Sequence, residues 1–353
     1  MYHIILAFST AFLLTYLAIP SIINVAKKKK LFDEPGGRKS HQVSTPSLGG
    51  IGIFAGTIFS VILWTPFNFF GDLKYILSAF IIIFLIGAKD DIDPISPMKK
   101  FIGELLAAGI LVFKANIRLT SLYGILGIYE VPAWVSILLS IFTILVIINS
   151  FNLIDGINGL SASIGSLIAI TLGTWFLMID RIEIAILAFA TAGSTIAFLK
   201  YNITPARIFM GDTGSLLLGS VCSILAILFI ELHNIIGPSP YAFKAAPSVA
   251  FGILILPLFD TLRVFITRVF QGKSPFHPDR QHIHHLLLDS GLTHMQATFM
   301  LVVVNCFFIF IVVKLQHIGT LNLLILILGI AALLSTILLF IASNKKKLKE
   351  LRP

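Results

Sequence analysis

The chain has little charge and almost no cysteine. Only 12% of its 353 residues are Asp, Glu, Lys or Arg, against 57% hydrophobic, and the mean hydropathy is +0.95. Such a balance excludes a soluble globular domain and a disordered chain. The two cysteines, Cys222 and Cys306, both fall in apolar runs, which excludes a disulfide framework and a cysteine metal site. Alternating ten-residue segments are missing, and with them the signature of a β-barrel. No internal repeat, low-complexity linker or second domain is visible, so residues 1–353 read as one membrane domain. The net charge of +9 does not point to nucleic acid, because the basic residues lie in short loops beside apolar runs.

What is there is a succession of apolar segments, many long enough to cross a bilayer core of ~30 Å. Eleven are expected, at 3–25, 48–70, 74–89, 101–115, 133–151, 159–179, 183–199, 214–232, 247–270, 296–314 and 319–341. No basic residue precedes the first, whereas Lys27 to Lys30 follow it, the charge order of an uncleaved anchor with its N-terminus outside. On that threading only Lys74, Lys114, Arg118, Arg181, Lys244 and Lys314 of the 26 Lys and Arg residues face outward. By the positive-inside rule the other 20 mark the cytoplasmic side, the C-terminus included. The expected fold is therefore all-α and polytopic, with about 11 transmembrane helices. Tyr123, Tyr129 and Trp134, in or beside the longest outer loop (116–132), read as interfacial anchors.

The same threading sends four polar loops to the inner face. Asp90, Asp91 and Asp93 follow the third span, Asp155 the fifth, and the histidines of HPDRQHIHHLLLDSG the ninth, while Asp212 precedes the eighth. Acids beside a bilayer are costly and persist for a reason. Each motif also has a bland reading. The paired aspartates serve as a membrane stop, MGDTGS as a turn in which Asp212 caps the eighth helix, and HIHH as an exposed loop. Against the first, adjacent carboxylates repel unless a cation sits between them. Asn152, Asp155 and Asn158 recur at i, i+3 and i+6, one polar face if the segment is helical. His282 and His285 would share a helix face, with His284 pointing elsewhere, yet no second His or Cys cluster completes a zinc set. Aspartates instead suggest Mg²⁺, which uses one or two carboxylates plus substrate phosphates, and the histidines then donate to phosphate oxygens. Asp260, inside the ninth span with Arg263 one turn on, reads as a paired charge that shapes the site.

Six segments, GRKSHQVSTPSLGG, DDIDPISPMKKF, NSFNLIDGINGL, RIFMGDTGSLLLG, PLFDTLRV and SPFHPDRQHIHHLLLDSGL, run in order from about residue 36 to 292. Together they resemble the polyprenyl-phosphate N-acetylhexosamine-1-phosphate transferases, the group that includes WecA, TagO and, more distantly, MraY. The resemblance implies transfer of a sugar 1-phosphate from a UDP-N-acetylhexosamine, with GlcNAc favoured, to a membrane polyprenyl phosphate. UMP is released, in the first lipid-linked step of envelope polysaccharide or teichoic acid synthesis at the prokaryotic cytoplasmic membrane. It also implies Asp212 as the Mg²⁺ ligand (Mn²⁺ as a substitute) and Phe209 stacked on the uracil. Asn152 and Asp155 would line the nucleoside pocket, and Asp90 and Asp91 would be the paired catalytic acids. His282, His284 and His285 would serve with Arg280 on phosphates or sugar, and Lys39 and His41 would touch substrate. Oligomeric state is not legible, and a homodimer is compatible with it. The chain departs from the family pattern at Pro94, where a further acid is frequent, at Asn158, where Asp is frequent, and at Glu104, where Gln is common. The competing class is a cation- or proton-coupled transporter. It would place its acids near the bilayer midplane on broken helices in matched repeats, rather than at one face.

Overall fold

The computed structural model describes residues 1–31, 45–237, 239–272 and 281–350. The helices are α1 (Tyr2–Lys29), α2 (Gly49–Trp64), α3 (Phe70–Ile92), α4 (Pro97–Phe113), α5 (Ala133–Ile154), α6 (Leu160–Met178) and α7 (Ile182–Asn202). They continue as α8 (Gly211–Leu232), α9 (Ala246–Ile253), α10 (Ile255–Phe270), α11 (Ile283–Asp289), α12 (His294–Leu315) and α13 (Thr320–Glu350). One departure from the all-α expectation is an antiparallel hairpin of β1 (Ser121–Ile125) and β2 (Ile128–Glu130) in the loop between α4 and α5. Tyr123 is half-buried, its hydroxyl donating to the Ile230 carbonyl near the end of α8, while Tyr129 and Trp134 are exposed.

Among the described residues, seven helices are long and apolar enough to cross a membrane (α1, α5, α6, α7, α8, α12, α13), or eight if α9 and α10 form one broken span. The protein is a helical, multi-pass membrane protein. α8 is its axis, buried along nearly its whole length and packed by α2, α3, α5 and α6. Small residues allow that crowding. A methyl group on Gly50 of α2 would come 2.1 Å from the Gly214 nitrogen of α8, so only glycine lets these backbones touch.

The span expected at 247–270 is not one straight helix, since α9 and α10 meet at an angle of 85°. Pro257 has no N–H, so the Ile253 carbonyl loses its usual partner four residues on. Asn305 of α12 replaces it, Nδ2 donating at 3.0 Å. Pro20 in α1 frees the Tyr16 carbonyl in the same way, and the Tyr201 hydroxyl of α7 donates to it at 3.0 Å. Each loose carbonyl inside the apolar region is thus satisfied by a neighbouring helix, as the lack of water there requires.

Candidate active site

The ends of α3, α4, α5 and α8 meet at one end of the bundle. Gly211 opens α8 with φ 72°, and a methyl group there would lie 2.2 Å from the Ser47 carbonyl and 2.6 Å from Asp91 Oδ1. The first N–H groups of α8 are capped, but not by Asp212. Asp91 reaches across from α3: Oδ1 accepts from the Asp212 N–H at 2.7 Å, and Oδ2 from the Thr213 N–H at 3.0 Å and its hydroxyl at 2.6 Å. A helix N-terminus favours an anion placed there. The capping reading of MGDTGS therefore belongs to Asp91, which leaves the Asp212 carboxylate free to project from the first turn.

That carboxylate accepts from Asn152 Nδ2 of α5 at 2.8 Å and from the Lys100 ammonium of α4. Lys100 also lies 3.5 Å from Asp90 Oδ2, so one ammonium bridges two acids. The other Asp90 oxygen accepts from the Ile95 N–H at 2.8 Å. Lys100 was missed as a site residue by sequence reasoning. The legible signal was its place just after Pro97, which starts a helix and fixes Lys100 in the first turn.

Beside these groups is a cavity of about 500 Å³ whose lining includes Ser47, Asp90, Asp91, Asn152, Asp155, Asn158, Phe209 and Asp212. The expected polar face of Asn152, Asp155 and Asn158 is only part helical. α5 stops at Ile154, and Asn158 sits in the following turn, with Nδ2 on Thr204 Oγ1 at 2.8 Å. All three still line the cavity, because the turn folds back over it. Burial pushes the Asp155 carboxyl well above the usual carboxylate range, and the nearby Asp212 and Asp91 charges add to this. Asn202, also missed, braces the rim by accepting from the Gly159 N–H at 2.6 Å and donating to the Ile208 carbonyl at 2.9 Å.

The histidines are arranged differently from expectation. His282 precedes α11 as its cap residue in extended conformation, so it does not share a helix face with His285. Its Nδ1 pairs with Asp260 Oδ2 at 2.9 Å, while Arg263 and the Ile283 N–H each reach Asp260 Oδ1 at 3.0 Å. Asp260 is thus the anchor of the histidine segment, delivered by the bend before α10. His284 does not point away. It is 2% exposed, with neither ring nitrogen hydrogen-bonded, and Gly156 packs against it so closely that a methyl there would lie 2.3 Å from Nε2. Burial pushes its pKa down to about 3, with the neighbouring His285 adding to this, so it is a neutral imidazole at pH 7. Lys39, His41 and Arg280 lie outside the described residues.

The donor set suits a hard divalent cation. Among the described residues no three His, Cys, Asp or Glu side chains gather as a closed metal cage. Two carboxylates already share one positive charge, however, and Mg²⁺ is commonly held by one or two carboxylates together with water and substrate phosphate.

Comparison with known proteins gives a consistent result. Residues 73–230 match the family described as glycosyl transferase family 4. A Bacillus subtilis (strain 168) protein named as a probable undecaprenyl-phosphate N-acetylglucosaminyl 1-phosphate transferase is 31% identical over 318 residues, 87% of this chain and 84% of that protein. An Escherichia coli O157:H7 protein named undecaprenyl-phosphate α-N-acetylglucosaminyl 1-phosphate transferase is 33% identical over 81% of this chain and 77% of its own. A Yersinia pestis protein of the same name is 31% identical over 83% and 80%. The transporter reading receives no support.

Proposed function

The chain belongs to the family of undecaprenyl-phosphate N-acetylglucosaminyl 1-phosphate transferases, and from that premise we propose how its own residues carry out the reaction. It transfers GlcNAc 1-phosphate from UDP-GlcNAc to undecaprenyl phosphate and releases UMP. The acceptor phosphate oxygen attacks the sugar-bearing phosphorus in line, and the bond to UMP breaks as the new P–O bond forms. Little covalent chemistry falls to the protein, so positioning and charge neutralisation dominate. The acceptor, a phosphomonoester with second pKa near 6, is largely ionised at neutral pH without a base.

The observation that carries the reading is the Asp212–Lys100–Asp90 bridge at the edge of a 500 Å³ cavity. Asp212, with Asp90 and the Asn152 amide beside it, would hold Mg²⁺ or Mn²⁺, which when bound neutralises the donor diphosphate. Phe209 offers a ring face to uracil, and Asn152 with Asp155 borders the nucleoside. Asp91 fixes the turn that aims Asp212. His282, His284 and His285 would serve with Arg280 on phosphate or sugar, and Lys39 and His41 would bind substrate. The test is Mg²⁺-dependent UMP release by the purified protein from UDP-GlcNAc and undecaprenyl phosphate, with other UDP-sugars as competitors. UMP formed without a lipid acceptor, or no release at all, refutes the assignment.

The neutral, buried His284 makes a sharper prediction. Gly156→Ala drives a methyl into its ring, and overpacking of this kind costs ~1–3 kcal/mol. kcat/KM should fall roughly ten- to a hundred-fold with the protein still folded, and His284→Ala should cost more than His285→Ala. An active Gly156→Ala enzyme would show that the ring position is immaterial.

The finer topology follows the same reading: eleven spans, N-terminus outside, site facing the cytoplasm of a bacterial inner membrane. Each of the eleven apolar segments overlaps a helix or the bent pair, α2 ending at Trp64 within the segment expected at 48–70, and on this threading the basic residues are divided 20 to 6. Cysteines introduced at Ser44 and Ser274, both outside the described residues, should resist an impermeant thiol reagent in intact cells once Cys222 and Cys306 are replaced. Ready labelling of both would reverse the orientation.

A further inference from the structure

Lys100 lies between Asp90 and Asp212, the two carboxylates to which the metal is assigned above. Its ammonium bridges the two carboxylates, 3.5 Å from Asp90 Oδ2 and in contact with Asp212 Oδ2. Two cations cannot share that space without strong repulsion in a partly buried site. A third acid stands one helical turn beyond Lys100 on α4. Glu104 is 1% exposed, its Oε2 accepts from Asn149 Nδ2 at 2.7 Å, and its Oε1 is buried with no hydrogen-bond partner. A buried carboxylate oxygen left unpaired is costly, and such a cost points to a partner held in another state. Lys100 and Glu104 are four residues apart on α4, the spacing at which side chains meet on a helix. A lysine has the flexible stem and freely rotating donors to make the move.

We propose that Lys100 is a built-in counter-ion which holds the empty site together and swings to Glu104 when a divalent cation displaces it. The inference rests on the metal reading of Asp212 given above. In the resting state the ammonium offsets the mutual repulsion of Asp90 and Asp212. When the ion enters, the ammonium keeps an anionic partner, so no buried charge is left uncompensated. Glu104 thereby sets how tightly the ion is held, though it lies outside the cavity lining.

The test is a double-mutant cycle on Mn²⁺ affinity, read by electron paramagnetic resonance on the detergent-purified full chain. Glu104→Gln should weaken Mn²⁺ binding about tenfold, the size expected of coupled neighbours. In a Lys100→Met background the same change should shift affinity by less than about twofold, because no ammonium is left to accommodate. Equal weakening in both backgrounds means Glu104 acts only as a distant charge, and overturns the proposal. A second readout does not require Lys100→Met to fold. Glu104→Gln should leave the metal-free melting temperature unchanged or raised, yet shrink the rise caused by Mg²⁺. A fall of several degrees without metal would place Lys100 on Glu104 already, and overturns it too. If Mn²⁺ binds neither to the wild-type protein nor differently to Asp212→Asn, the metal assignment itself fails, and this inference with it.

Discussion

Asp212→Asn should reduce Mg²⁺-dependent UMP release on the order of a thousand-fold. An amide oxygen can occupy the same position but cannot neutralise a divalent ion and the diphosphate it carries. Several kcal/mol of transition-state stabilisation are at stake, and each ~1.4 kcal/mol is tenfold in rate. The fold should survive. The turn is held by main-chain contacts of Phe209 and Met210 with Pro46, Gly49 and Gly50, and the α8 cap comes from Asp91. An amide at 212 can still pair with Asn152. The variant should therefore melt near the wild-type temperature while losing Mn²⁺ binding. Near-normal turnover at ordinary Mg²⁺ would remove Asp212 from the metal site.

How much of this could be read from the sequence follows from what kind of interaction places each residue. The helices were legible because a bilayer demands long apolar runs, and their alternating direction sends the polar loops of α3, α5 and α8 to one end. The break between α9 and α10 was not. Both halves are apolar, and the replacement donor, Asn305, lies about fifty residues downstream in another helix. The histidine geometry was hidden by the same break, since Asp260 reaches His282 only after the chain has turned. Periodicity suggested a helix through Asn158, but α5 ends at Ile154 and the turn keeps all three polar residues on the cavity. Lys100 was visible as a charge and invisible as a bridge, because pairing between α4 and α8 has no local signature. Family resemblance named Asp90 and Asp91 together, yet residue type alone could not divide their tasks.

Their hydrogen-bond partners differ, and from this difference comes the second large expected effect. Asp91 accepts three hydrogen bonds from the first turn of α8, whereas Asp90 accepts one from Ile95 and faces Lys100 at the cavity. Asp91→Ala leaves two N–H groups and a hydroxyl without their acceptor. An unsatisfied buried donor costs ~1–3 kcal/mol, and loss of a helix cap ~0.5–2 kcal/mol. A net loss of about 3 kcal/mol should lower the melting temperature by several degrees, and turnover should fall at least roughly a hundred-fold as Asp212 loses its aim. Asp91→Asn should be intermediate in both, because it keeps one accepting oxygen but turns an NH₂ group toward a backbone donor. Asp90→Asn should also be slow, having lost a charge beside Lys100. Its melting temperature should stay near that of the wild type, since an amide oxygen still serves the Ile95 N–H. Melting curves and Mg²⁺-dependent turnover of the three purified variants therefore separate positioning from chemistry. If Asp91→Ala melts like the wild type and loses only kcat, Asp91 acts on the substrate directly, and the cap is incidental.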